Sequence, residues 1–113
     1  MMSLYAQLMG ERYGYEVIEH EYGFLTYRIE GEQCRAIEIF IKEENRGCGF
    51  WQLLWQELLG ICVIRGVRSI TGYVDVTKPE PETRLRAYMR TGAKLKEARD
   101  NVIVLEWSVP NGS

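Results

Sequence analysis

The stretch from Cys34 to Arg65 constrains the fold more than any other part of the chain. From Cys34 to Ile41 the residues alternate in the period of a β-strand, with Ile37, Ile39 and Ile41 on one face and Ala36, Glu38 and Phe40 on the other. A polar loop follows, Lys42 to Gly49, and the period then changes to that of a helix through Arg65, with Gly66 as its C-terminal stop. A strand of this kind reads as central in a sheet, and a helix this apolar must lie on that sheet to bury its stripe.

The flanking segments extend the same pattern. Ser3 to Met9 reads as a short helix with Ser3 as N-cap, and Gly14 closes that region. Tyr15 to Glu21 and Phe24 to Glu30, separated by Tyr22-Gly23, predict an antiparallel hairpin, and Glu30-Gly31-Glu32 turns the chain into the central strand. Ser69 to Val76 predicts another strand, and the prolines of Lys78-Pro79-Glu80-Pro81 forbid its continuation. A helix over Glu82 to Thr91, stopped by Gly92, precedes a last hairpin, Lys94 to Ala98 and Val102 to Ser108, turned at Arg99-Asp100-Asn101. Pro110 to Ser113 reads as a frayed tail. The fold class predicted is α/β, a mixed central sheet with helices on both faces, in one domain spanning residues 1–113.

Composition narrows the function classes. Fourteen basic and sixteen acidic residues give a net charge of -2, which supplies no broad cationic field for a nucleic-acid backbone. The most apolar stretch, Phe50 to Val67, is interrupted by Gln52, Gln56, Glu57 and Arg65 and fails as a bilayer span. The first ten residues lack a basic region and a cleavage site, so a cytoplasmic setting is expected. Cys34, Cys48 and Cys62 fall with His20 at even intervals of fourteen, yet zinc sites use close ligand pairs, so no metal is expected. Cys34 and Cys62 read instead as small buried apolar residues, in a compartment where thiols stay reduced.

Glycines between a strand and a helix expose unpaired N–H groups at the helix N-terminus, where partial positive charge favours a phosphate. Arg46-Gly47-Cys48-Gly49-Phe50-Trp51 is neither a dinucleotide fingerprint, since the third glycine is missing, nor a nucleotide P-loop, since Gly-Lys-Ser/Thr is missing. It resembles the signature of the GCN5-related N-acetyltransferase (GNAT) superfamily, Arg or Gln followed by x-x-Gly-x-Gly/Ala between a strand and a long helix. Tyr88-Met89-Arg90-Thr91-Gly92-Ala93 is similar to that family's Tyr-x-x-x-Gly-Phe element, and the resemblance covers about Cys34 to Lys94. It looks like a small divergent member, of the kind that phages also encode.

The resemblance implies a GNAT-like fold and an acyl-CoA cofactor, most simply acetyl-CoA, whose acyl group passes to an amine of a small molecule or of a protein lysine or N-terminus. By position it implies that Arg46, Gly47, Cys48, Gly49 and Phe50 cradle the pyrophosphate, that the Ile41 backbone meets the pantetheine arm, and that Tyr88 protonates the departing thiolate. An ammonium cannot attack a thioester, so a base is also needed, and Glu38 on the preceding strand is the candidate. The chain departs from the family pattern at Trp51, Pro81 and Ala93. Trp51 and Pro81, with the short N-terminal region that in this family helps shape the acceptor site, favour the alternative, a catalytically silent GNAT-like module that binds a protein or serves a virion or host-takeover role. Projected at about 100° per residue, the long helix carries Phe50, Leu54, Leu58 and Ile61 on one stripe, with Trp51, Trp55, Leu59 and Cys62 beside it. Either both tryptophans cover the sheet, or Trp55 and Leu59 form an exposed patch for a second copy or a protein partner.

Overall fold

The computed structural model describes residues 2–110. Of the tail expected from Pro110 onward, residues 111–113 lie outside the described residues. The elements follow the expected order: α1 (Leu4–Tyr13), β1 (Glu16–His20), β2 (Gly23–Glu30), β3 (Gln33–Ile41), α2 (Phe50–Ile64), β4 (Ser69–Asp75), α3 (Pro81–Arg90), β5 (Lys94–Arg99) and β6 (Val102–Ser108). A 3₁₀ turn, Glu43–Asn45, interrupts the loop before α2.

Ser3 caps α1, its hydroxyl accepting from the Ala6 N–H at 3.0 Å. The helix runs one turn beyond Met9, since nothing breaks it before Gly14, which takes φ 71° as its C-terminal stop. At α3, Pro81 enters as the first helical residue, where its missing N–H costs nothing.

The six strands form one mixed sheet in the order β1-β2-β3-β4-β6-β5, so β3 is central as expected. Only β3 and β4 run parallel, with α2 as the crossover. The apolar stripe of α2 buries Leu54, Trp55, Leu58 and Cys62 against Leu25, Cys34, Ile70 and Leu105. Each buried aliphatic side chain there contributes about 1.5–3 kcal/mol. Trp107 of β6 meets Trp55 of α2 and Tyr88 of α3, at ring centroid distances of 4.5 and 5.3 Å, so both helices cover the same face. That packing needs Gly72 beneath it, where a Cβ would stand 2.9 Å from the Trp107 ring.

The opposite face is covered only at one end, where α1 sets Tyr5 against Phe24 of β2, ring centroids 5.1 Å apart. Helices therefore occupy both faces, two on one and one on the other. The edge strand β5 is exposed throughout, and its charged residues Lys94, Lys96, Glu97 and Arg99 discourage further strand pairing.

The faces of β3 differ from the sequence expectation. Thr26 pairs with Glu38 but Tyr27 pairs with Ala36, so Ile37 is the extra residue of a β-bulge. The bulge resets the alternation: Cys34 and Ala36 are buried, Ile39 and Ile41 continue their face, and Ile37 is 36% exposed. Ile37 thus does not share the inward face, and Ala36 does.

Candidate functional site

The β3–β4 ladder has only three pairs, Gln33 with Ser69, Cys34 with Ile70 and Arg35 with Thr71. Beyond them β3 continues with β2 as far as Ile41, and β4 continues with β6 as far as Asp75. The centre of the sheet therefore splits above Arg35 and Thr71.

A cavity of about 680 Å³ opens on the helical face at this split. Its walls are Ile39, Phe40 and Ile41 of β3, the loop residues Asn45 to Gly47, and Gly49 to Gln52 at the start of α2. The far wall is one stripe of α3, made by Thr83, Arg84, Ala87, Tyr88 and Thr91, with Arg90 beside it. Three arginines, Arg46, Arg84 and Arg90, line the cavity, and no lining residue is acidic.

The loop geometry follows from its glycines. Gly47 and Gly49 take φ 78° and 85°, a region that costs any other L-residue about 1–2 kcal/mol. Gly49 is the N-cap of α2 and offers no side-chain cap, so the first N–H groups of that helix have no side-chain acceptor from it. The positive end of a fifteen-residue helix thus faces the cavity that three arginines line. Arg46 folds back, its Nε donating to the Ile41 carbonyl at 3.0 Å and its guanidinium lying 5.8 Å from the Phe40 ring centroid.

Trp51, one of the departures from the family pattern, stacks on Trp55 at 5.7 Å and tilts against Tyr88 at the same distance. Its indole forms a wall and leaves the cavity open to Gly47 and Gly49. Tyr88 lies on the last turn of α3, between Trp51 and Trp107. Burial pushes its phenol above the usual tyrosine range, and the Arg84 charge pulls weakly the other way. Thr91 fixes this turn: its hydroxyl donates to the Tyr88 carbonyl at 2.7 Å and accepts from the Trp107 indole N–H at 2.7 Å.

The structure therefore gathers Ile41, Arg46, Gly47, Gly49, Phe50 and Tyr88 around one cavity. Cys48 is exposed in the same loop, its thiol 3.8 Å from the Arg46 carbonyl, and does not line the cavity. Glu38 is exposed on the far face, paired with Thr26, and lines it neither. Sequence reasoning missed Thr83, Arg84, Ala87, Arg90 and Thr91, although they follow from projecting α3 around Tyr88 at helical spacing.

The partner surface on α2 is corrected. Trp55 is 3% exposed and Leu59 is half-buried, so the two form no exposed patch; Trp55 is core because Trp107 and Trp51 enclose it. Cys34 and Cys62 are fully buried thiols, and their mutual hydrogen bond, with burial, pushes the Cys34 thiol up. His20 is exposed, stacked on Tyr22 and 2.6 Å from Glu57 of α2. Among the described residues, no group of three or more His, Cys, Asp or Glu gathers to hold a metal, and no helix is long and apolar enough to cross a membrane.

No protein-family model matches the chain, and no curated protein sequence matches it. Solved structures do. The PaiA N-acetyltransferase of Thermoplasma acidophilum, in complex with coenzyme A, superposes with a TM-score of 0.70 at 17% identity, over 77% of this chain and 53% of that one. The ribosomal-protein-S18-alanine N-acetyltransferase of Escherichia coli gives 0.74 at 12% identity, over 99% of this chain and 80% of that one. A GNAT-family acetyltransferase of Staphylococcus aureus gives 0.66 at 8% identity, over 79% and 60%. The fold is the GNAT acyl-CoA N-acyltransferase fold, as the two motifs implied. This chain spans about half the length of the coenzyme A-bound Thermoplasma protein.

Proposed function

We propose that the chain binds an acyl-CoA in the cavity between β3, α2 and α3 and transfers the acyl group to an amine. The observation that carries this reading is the cavity's charge: a helix N-terminus with two left-handed glycines and three arginines, with no carboxylate among the lining residues, complements a pyrophosphate. Acetyl-CoA is the simplest cofactor of this class, and the coenzyme A held by a protein of the same fold supports it.

In this reading the amides of Gly47 to Phe50, Cys48 included, hold the pyrophosphate, and Arg46, Arg84 and Arg90 neutralise it. The pantetheine arm runs along β3 toward the split. Because the Ile41 carbonyl is already engaged by Arg46, a contact there uses another backbone group. The amine nitrogen attacks the thioester carbonyl, the carbon–sulfur bond breaks, and the departing thiolate takes the phenolic proton of Tyr88. Glu38, on the far face of β3 above the split, takes the proton that the amine loses, directly or through water.

Titration calorimetry with acetyl-CoA tests binding. Saturable heat is expected, weakened at least about tenfold by Arg46→Glu, since that change removes a charge-assisted contact and adds a repulsive one. Tyr88→Phe is expected to lower kcat by about 10²-fold or more while leaving acetyl-CoA affinity unchanged. With Tyr88 as the acid, the rate holds through neutral pH and falls only above the ordinary tyrosine range, because burial raises its pKa. No heat at millimolar acetyl-CoA would remove the transferase reading.

A further inference from the structure

A second cavity, of about 540 Å³, lies on the sheet face opposite α2 and α3, and no residue of α1 lines it. Strand register places Arg28, Arg35, Thr71, Tyr73, Val102 and Val104 on its floor, since Arg28 pairs with Arg35, Arg35 with Thr71, and Tyr73 with Val104. Arg35 and Thr71 are the last pair of the β3–β4 ladder. The floor therefore includes the base of the split and runs past it along β4 and β6, and on the opposite face the cofactor cavity is walled by β3 beyond the split, from Ile39 to Ile41.

Most of the charge around this second cavity is internally neutralised. Arg28 is held by Glu30 at 3.1 Å, Arg99 by Glu97 at 2.7 Å, and Lys96 by Glu106 at 3.3 Å. Arg35 makes none of the ion pairs found among the described residues. Its guanidinium lies over the Tyr73 ring, 5.9 Å from the centroid, which leaves its N–H edges for a planar anion. Asp100 stands at the rim, in the turn between β5 and β6.

From this placement we infer that the second cavity is the acceptor site and that the acceptor is an amine carrying a carboxylate, an α-amino acid or a short peptide. The inference rests on the transferase reading for its reaction and on Arg35 for its chemistry. A thioester lying in the split from the helical face is open to attack only from the other face. A carboxylate on Arg35 sets the neighbouring amino group at the split, while Tyr73, Val102 and Val104 offer apolar surface to the acceptor's side chain.

The test uses L-phenylalanine and L-phenylalaninamide, which differ only in the carboxylate, titrated into the full chain without cofactor and followed by backbone amide NMR. L-Phenylalanine is expected to shift Arg35, Thr71 and Tyr73 and to bind at least about tenfold more tightly than the amide, the scale of a charge-assisted bidentate contact. Arg35→Gln should erase that preference, and Arg28→Gln, whose partner is Glu30, should keep it. Equal binding of the two probes, no binding of either, or an unchanged preference in Arg35→Gln overturns the inference. Acetyl-CoA titrated separately keeps the two readings apart. L-Phenylalanine bound without acetyl-CoA binding leaves the acceptor cavity standing and removes the transferase, and the reverse result removes only this site.

Discussion

Thr26 is 1% exposed, and its hydroxyl is the buried side-chain group without a hydrogen-bond partner among the described residues. It lies on the α1 face of β2, paired with Glu38 next to the bulge that displaces Ile37. A hydroxyl desolvated without a partner costs about 1–3 kcal/mol, and valine has nearly the same shape and suits a strand equally well. Thr26→Val is therefore expected to raise the unfolding free energy by about 1 kcal/mol, read from the urea midpoint at unchanged slope. A lower midpoint would mean that the hydroxyl has a partner, such as an ordered water, and that the bulge depends on it.

At the scale of elements, Glu16 joins three pieces of the chain. Its carboxylate accepts from Arg65 at the end of α2 at 2.7 and 2.9 Å, and from the Tyr27 hydroxyl of β2 at 3.3 Å. Burial first, and then the Glu16 charge, push the Tyr27 phenol up to about 12. The folded chain thus keeps a proton that the unfolded chain loses near pH ~10. In the window between about 10 and 12 the unfolded state binds fewer protons, so stability is fully present below it and falls as pH rises through it. Denaturant midpoints at about pH 8 and about pH 11 are expected to show this loss, and Tyr27→Phe to flatten it.

The same scale shows what a sequence can disclose. The elements were legible because Gly14, Gly66, Pro81 and Gly92 punctuate clear periods, and the glycine loop and Tyr88 because their spacing carries a motif. The faces of β3 were not, since a bulge is a property of two strands in register and Ile37 alone does not announce it. Nor was the fate of Trp55, whose burial depends on Trp107, more than fifty residues away in the chain. Arg84 and Arg90 became visible as cavity residues only once α3 was set opposite the α2 N-terminus.

At the scale of the whole molecule, the fold holds two cavities on opposite sides of the sheet, one cationic beneath two helices and one on the face that α1 covers only at one end, with the sheet as the partition between them. The partition is weakest at its centre. Three residue pairs are all that knit β1, β2 and β3 to β4, β6 and β5 directly, so the sheet behaves as two panels joined along a short hinge and held shut by α2 and α3. Central strands normally surrender their amide protons last. Here the outward edge of β3 from Ile37 to Ile41 is expected to exchange with deuterium sooner than its β2-facing edge, despite lying mid-sheet. A ligand seated in the gap should reverse that order by bridging the panels, so deuterium uptake along this one strand, with and without acetyl-CoA, reports whether the seam closes.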